Sequence, residues 1–271
     1  MTDALNKIVE AAQDGDQAAL EEVVRSVQDR VHHIAMRMLV NKEDALEATQ
    51  EILILVVTKL STFKHESNFS TWVYRVAANY LINAKKVLGK DPGLNFDMFK
   101  ADLENGLVAS PQPEADDVVM LNELRIFCTM AMLLCLDHKH RMAYILGDIF
   151  EFEHVEAAEI LDISKANFRK RLSRARAEVE TFTAANCGVA NPEAKCSCPR
   201  RLPAATAHGC VTKGAVAYAV DGAPDYQTVR AQAQRLEMRL RTLKLQRATP
   251  QYGSPEDLGN RIAQIVSRAA H

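Results

Sequence analysis

The chain has 271 residues, 48% hydrophobic and 25% charged, the balance of a protein with a real buried core and room for two small domains plus extras. Its formal charge of −2 excludes polyanion binding driven by overall charge, so a nucleic-acid role must rest on local basic patches. No apolar run approaches eighteen residues, and no apolar segment follows a basic start, so the sequence predicts a cytoplasmic protein without membrane span or signal peptide.

The first 88 residues read as three amphipathic helices. Leu20, Val23, Val24, Val27, Val31, Ile34 and Met38 recur at three- and four-residue steps, and Ala45, Ala48, Ile52, Leu55, Val56 and Leu60 continue after the polar break at 41–44. Beyond a polar stretch at 61–70, Trp72, Val73, Val76, Ala77, Tyr80, Leu81, Ala84 and Leu88 make the third. No strand-like alternation competes with them. These helices form one all-α domain, 1–88.

Residues 89–117 change character. They contain glycine and proline and seven acids (Asp91, Asp97, Asp102, Glu104, Glu114, Asp116, Asp117) against Lys90 and Lys100, which predicts a flexible acidic linker. Helical spacing resumes at 118, and a second domain, 118–182, ends in a helix-turn-helix. Its first helix, 154–161, turns Val155, Ala158 and Leu161 inward. A tight turn follows at Asp162-Ile163-Ser164, with Ser164 placed to cap the next helix. That helix buries Phe168, Leu172, Ala175 and Val179 and carries Lys165, Arg169, Lys170, Arg171, Arg174 and Arg176, with no acid between 165 and 177. Such a helix, with Asn167 near its start, suits major-groove reading: its first residues reach base edges while the rest neutralise phosphates. The competing reading is a solvated basic helix in a bundle.

The remaining stretch, 183–271, is a helical, cysteine-bearing extension. Cys187, Cys196, Cys198, His208 and Cys210 place five soft ligands within twenty-four residues, a set that suits zinc or copper. The spacing departs from the common zinc knuckle, and a redox-active thiol pair and inert loop cysteines are the other readings. Few apolar residues surround the cysteines, which favours a metal or another staple over a core. A helix near 226–247 turns Val229, Leu236, Leu240 and Leu243 to one side. A last one starts at Ser254-Pro255-Glu256-Asp257, with serine as cap and proline in the first turn. Cys128 and Cys135, on an apolar helix, read as core residues.

Two places in this order resemble the extracytoplasmic-function (ECF) group of RNA polymerase sigma factors. Asp44-Ala45-Leu46-Glu47-Ala48-Thr49-Gln50-Glu51 is similar to the family's polymerase-docking helix. Phe69-Ser70-Thr71-Trp72-Val73-Tyr74-Arg75-Val76-Ala77-Ala78-Asn79 resembles its signature at the promoter-melting helix. The chain departs from the pattern at Asp137, where the family usually has proline, and at 150–153, where a glycine-containing turn is usual.

The resemblance implies an all-α protein of two small helical domains joined by the acidic linker, plus the extension. It implies that Asp44, Glu47, Gln50 and Glu51 bind the β′ clamp helices of core RNA polymerase. Asn68, Phe69, Trp72, Asn79, Asn83, Lys85 and Lys86 would contact the −10 element, with Phe69 stacking on a flipped base, although Trp72 reads equally as a core anchor. Lys165, Asn167, Arg169, Lys170, Arg171 and Arg174 would read the −35 element, and the second domain would meet the β flap. No cofactor is required for that activity, and no enzyme is implied. Residues 183–271 would act as a built-in regulator responding to metal or redox state, with room left for a separate anti-sigma factor. A metal-sensing helix-turn-helix repressor is the alternative, but it leaves 69–79 and the acidic octet unexplained. A thiol oxidoreductase lacks every accompanying motif.

Overall fold

A computed structural model describes residues 2–84, 87, 89, 91–109 and 117–269. Among them lie thirteen α-helices and no strand, as the sequence predicts for an all-α chain. The chain divides into two compact units. The first comprises Met1–Asp91, Phe152–Arg169 and Gln251–His271, and the second Pro92–Glu151 and Lys170–Pro250.

In the first unit, α1 (Thr2–Gln13) leads into α2 (Gln17–Leu39), whose start is capped by Asp16 accepting from the Ala18 and Ala19 amides. Asn41 caps α3 (Lys42–Thr58) in the same way, and a single 3₁₀ turn, Leu60–Thr62, leads toward α4 (Phe69–Asn83). Val23, Val27, Val31 and Ile34 of α2 meet the core with Ala45, Ile52 and Val56 of α3 and Val73, Ala77 and Leu81 of α4, all at most 2% exposed. Each valine, isoleucine and leucine among them contributes about 1.5–3 kcal/mol on burial. Helix α8 (His154–Ile160) packs on α4, and the last helix, α13 (Gly259–Ala269), packs on α2 and α3.

The second unit begins with α5 (Phe96–Glu104), inside the stretch the sequence marks as a flexible linker. Over these residues that expectation is corrected. Asn95 caps the helix, and Phe96 and Phe99 lie against Phe182 with ring centroids 5.0 and 5.5 Å apart, so apolar contacts outweigh the acidic composition. Glu114 and Asp116, on which the linker reading also rests, lie outside the described residues.

Helix α6 (Asp117–Leu134) is the spine of this unit. Met120, Leu121 and Leu124 share one core with Val189, Leu202, Val211, Tyr226, Val229 and Leu245 of the extension. The extension therefore has a core, contrary to the sequence expectation, because apolar residues scattered between Val189 and Ala248 gather on one face of α6. Its helices are α10 (Cys198–Ala207), α11 (Tyr226–Gln234) and α12 (Met238–Arg247). Buried charges tie these parts together. Arg125 donates to the carbonyls of Pro224 and Ala248, while Glu123 accepts the amides of Ala217, Tyr218 and Ala219 at 2.5–2.8 Å. Arg201 reaches Asp102 at 2.7 Å.

Three further expectations change. The helix near 226–247 is broken, because Arg241 donates to the carbonyls of Gln234 and Leu236 and closes α11 early; Leu240 is left exposed. The last helix starts at Gly259, not Pro255. Ser254 donates its amide to Asp29 and its hydroxyl to the Glu256 carbonyl, and Asp257 caps Gly259. On α8, Ala157, Ala158 and Ile160 point inward while Val155 is exposed.

Candidate polymerase and promoter interfaces

The acidic octet lies on the first turns of α3, where Asn41 starts the helix and Ala45, Ala48 and Ile52 hold it to the core. Asp44, Glu47, Gln50 and Glu51 are all half-buried. They occupy one helix, as the sequence predicts, but none projects as a fully solvated side chain.

The loop before α4 carries exposed Lys64, His65 and Glu66, then Asn68, which begins α4 without a side-chain cap bond. His65 adopts φ +58° and rests on Phe63 with ring centroids 4.5 Å apart. Phe69 differs from expectation. It is 2% exposed, with Phe63 at 5.3 Å and Trp72 stacked on it at 5.8 Å. A ring clamped this way is a structural anchor, so the expected base-stacking role is corrected. Trp72 is half-buried in the same trio. Asn79 and Asn83 are exposed on the far part of α4, and the Asn83 amide donates to the Asn79 carbonyl. Lys85 and Lys86 lie outside the described residues.

Composition gave no sign that α4 is already engaged along another side. Thr71 donates to Glu156 of α8 at 2.9 Å, Arg75 binds the Glu159 carboxylate at 3.1 Å, and Tyr74 meets Phe152 edge-on.

Helix α9 (Lys165–Asn186) follows a turn in which Asp162 takes φ +51°. Ser164 accepts the Asn167 amide, as its position predicts. Phe168, Leu172, Ala175 and Val179 are all at most 1% exposed. Lys165, Asn167, Arg169, Lys170 and Arg174 are exposed, and Arg171 is half-buried. Arg176 leaves this set. It binds Asp148, whose side chain is 2% exposed, through bonds of 2.5–3.0 Å that raise the guanidinium further above its ordinary value. Asp148 sits in a π-helical turn, Ile145–Ile149, and Arg247 of α12 holds the same turn through the Asp148 carbonyl and Glu151.

The two departures from the family pattern have local solutions. Asp137 caps α7 (His138–Tyr144) by accepting the Lys139 and His140 amides, which gives the helix a start without proline. Glu151 takes φ +58°, the conformation a glycine would adopt more cheaply.

Residues 23–89 match the Sigma-70 region 2 family and residues 126–179 match Sigma-70 region 4. The chain is 30% identical over 176 residues to the ECF RNA polymerase sigma factor SigW of Bacillus subtilis, covering 92% of that protein and 64% of this one. The chain belongs to the ECF RNA polymerase sigma factors. It is also 29% identical to the ECF sigma-E factors of Haemophilus influenzae and Escherichia coli K12, over 92% and 91% of their lengths and 64% of this chain. As a member of the family it serves transcription initiation with RNA polymerase and promoter DNA, and it is not an enzyme. No helix among the described residues is long and apolar enough to cross a membrane.

More than a third of this sigma factor lies outside the stretch shared with SigW. In its extension Cys187 and Cys196 pair as an isolated parallel bridge, and the Gly188 amide donates to the Cys196 carbonyl at 2.9 Å. A side chain at Gly188 would meet that carbonyl at 2.5 Å, so glycine is required there. Cys187, Cys198 and Cys210 pack around the core shared with α6, and Cys128 of α6 joins them. All six cysteines are free thiols. Burial pushes those of Cys128, Cys187, Cys198 and Cys210 up, and that of Cys196 to about 12. His208 stands apart, about half-exposed and 3.8 Å from Asp102. Among the described residues no three His, Cys, Asp or Glu side chains converge as a metal cage. As arranged, the five sequence-predicted ligands do not fit a bound ion.

Proposed function

We propose that this ECF sigma factor binds the β′ clamp helices through Asp44, Glu47, Gln50 and Glu51 and the β flap through residues 118–182. Asn68, Trp72, Asn79, Asn83, Lys85 and Lys86 contact the −10 element, and Lys165, Asn167, Arg169, Lys170, Arg171 and Arg174 the −35 element. Phe69 shapes the loop from beneath. The domains run 1–88 and 118–182, with 89–117 between them and 183–271 as the regulatory part. The cytoplasm is the site of action, and a separate anti-sigma factor is compatible with this arrangement.

One observation carries the promoter reading. The exposed cations of α9 stand on a helix whose other side is locked by Phe168, Leu172, Ala175 and Val179. A helix fixed by its apolar side presents its cations in a set register, which base reading needs. Arg169→Ala, near the helix start, is expected to cut transcription about tenfold and relax preference at one −35 position, consistent with about 1–3 kcal/mol for a good base contact. Arg174→Ala is expected to weaken binding on all promoters alike and to flatten the salt dependence. Equal transcription by both variants would remove −35 reading from α9.

The extension is proposed to regulate through its thiols, by metal or by redox state. Support comes from four cysteines, Cys128, Cys187, Cys198 and Cys210, gathered around the core that the extension shares with α6. Because the ligands do not form a cage as arranged, loading zinc or copper would require the 187–210 segment to rearrange and its thiols to lose protons. Unchanged metal content and unchanged response to metal and oxidant in both Cys196→Ser and Cys198→Ser would end this reading.

A further inference from the structure

After α12 the chain leaves the second unit, and the end of the extension, Gln251–His271, belongs to the unit built on α2, α3 and α4. The stretch before α13 is irregular, yet α2 side chains receive its backbone amides. Tyr252 donates its amide to His33 Nδ1 at 3.0 Å, Ser254 to Asp29 at 2.8 Å and Leu258 to Gln28 at 2.9 Å. Arg25 pairs with Asp257 at 3.0 Å. The α2 partners recur at steps of three, one and four, a single stripe on the side that its core residues leave polar.

The apolar contact is equally specific. Leu258, Ile262 and Ala263 are fully buried, and α13 reaches α3 as well as α2. Gly259 is the point of closest approach. A side chain there would meet Arg25 Cγ at 2.9 Å and the Glu21 carbonyl at 3.0 Å. Ordering an irregular segment costs entropy, and here contacts with α2 and α3 offset that cost.

We infer that residues 252–266 are a built-in competitor for the surface through which this sigma factor takes up RNA polymerase. The inference rests on the proposed docking through α3. All four docking candidates sit on a helix that α13 packs against, and all four are half-buried. A competitor docked about 90% of the time leaves a tenth of the chains competent, which weakens apparent polymerase affinity about tenfold. Binding and release are reciprocal, so polymerase must in turn loosen the segment.

The test uses the full chain. Hydrogen exchange follows the 252–266 amides with and without core polymerase, and fluorescence anisotropy follows core binding. Asp257→Arg with Gly259→Leu is expected to speed exchange at 252–266 and tighten core binding about tenfold. In the unsubstituted chain, added core polymerase is expected to speed the same exchange. If 252–266 stays protected in the polymerase complex, the competitor reading is overturned whatever the variant does. It is also overturned if the variant frees the segment without changing affinity. Glu47→Lys with Glu51→Lys separates the two readings. Weakened binding in that variant keeps the docking reading alive when the competitor fails, and unaltered binding removes both.

Discussion

At the scale of single residues, two arginines of α9 separate stability from the proposed recognition. Arg176 neutralises buried Asp148, so Arg176→Ala strands a carboxylate and is expected to cost about 3 kcal/mol in a denaturant titration, the low end for a broken buried pair because the arginine is partly exposed. Arg174, whose side chain is 70% exposed, pairs loosely with Glu178 at 3.6 Å, and Arg174→Ala is expected to move stability by less than about 0.5 kcal/mol. His33 gives a pH signature. Burial, with the charge of Arg37 adding to it, pushes its imidazolium down to about 3 while its Nδ1 accepts the Tyr252 amide. The unfolded chain gains this proton near 6.5 and the folded chain only near 3, so stability from neutral His33 is full above pH 6.5 and is lost as pH falls below it. His33→Asn, which offers an oxygen acceptor without titrating, is expected to flatten the fall in unfolding free energy between pH 6.5 and 5.

At the scale of elements, α5 shows why sequence reading stopped where it did. Phe96, Phe99 and Leu103 stand at helical spacing, but they sit among acids, glycine and proline, and their partner Phe182 is some eighty residues away. Phe99→Ala is expected to cost about 3 kcal/mol and to release α5 in hydrogen exchange. Helices α2, α3 and α4 and the buried side of α9 were legible because each carries its own apolar period, whereas α1 lies ahead of the three predicted helices and was not anticipated. The core of the extension was not, since its apolar residues are scattered singly from Val189 to Ala248 and converge only where they close on α6. Phe69 was misjudged for a related reason. A motif position does not reveal that Phe63 and Trp72 close over the ring. The pairing of α4 with α8 rests on Thr71, Arg75, Glu156 and Glu159, polar residues that look like ordinary surface until a partner is placed beside them.

At the scale of the whole molecule, family membership assigns initiation of transcription, and the proposed division of that work gives one helix to polymerase and others to the promoter. The high thiol pKa values fit an extension that is quiet in its resting state. Thiols held protonated at neutral pH react slowly, so alkylation of the native chain at pH 7.5 is expected to lag far behind that of the unfolded chain, by mass spectrometry. Rapid modification of Cys198 in the native chain would contradict its burial. The most direct measurement of the central claim is run-off transcription on genomic promoter fragments, with core RNA polymerase and this chain added separately and together. Discrete start sites that need both proteins are the predicted result. A chain that shifts promoter duplex alone and adds no transcript to core polymerase would contradict it.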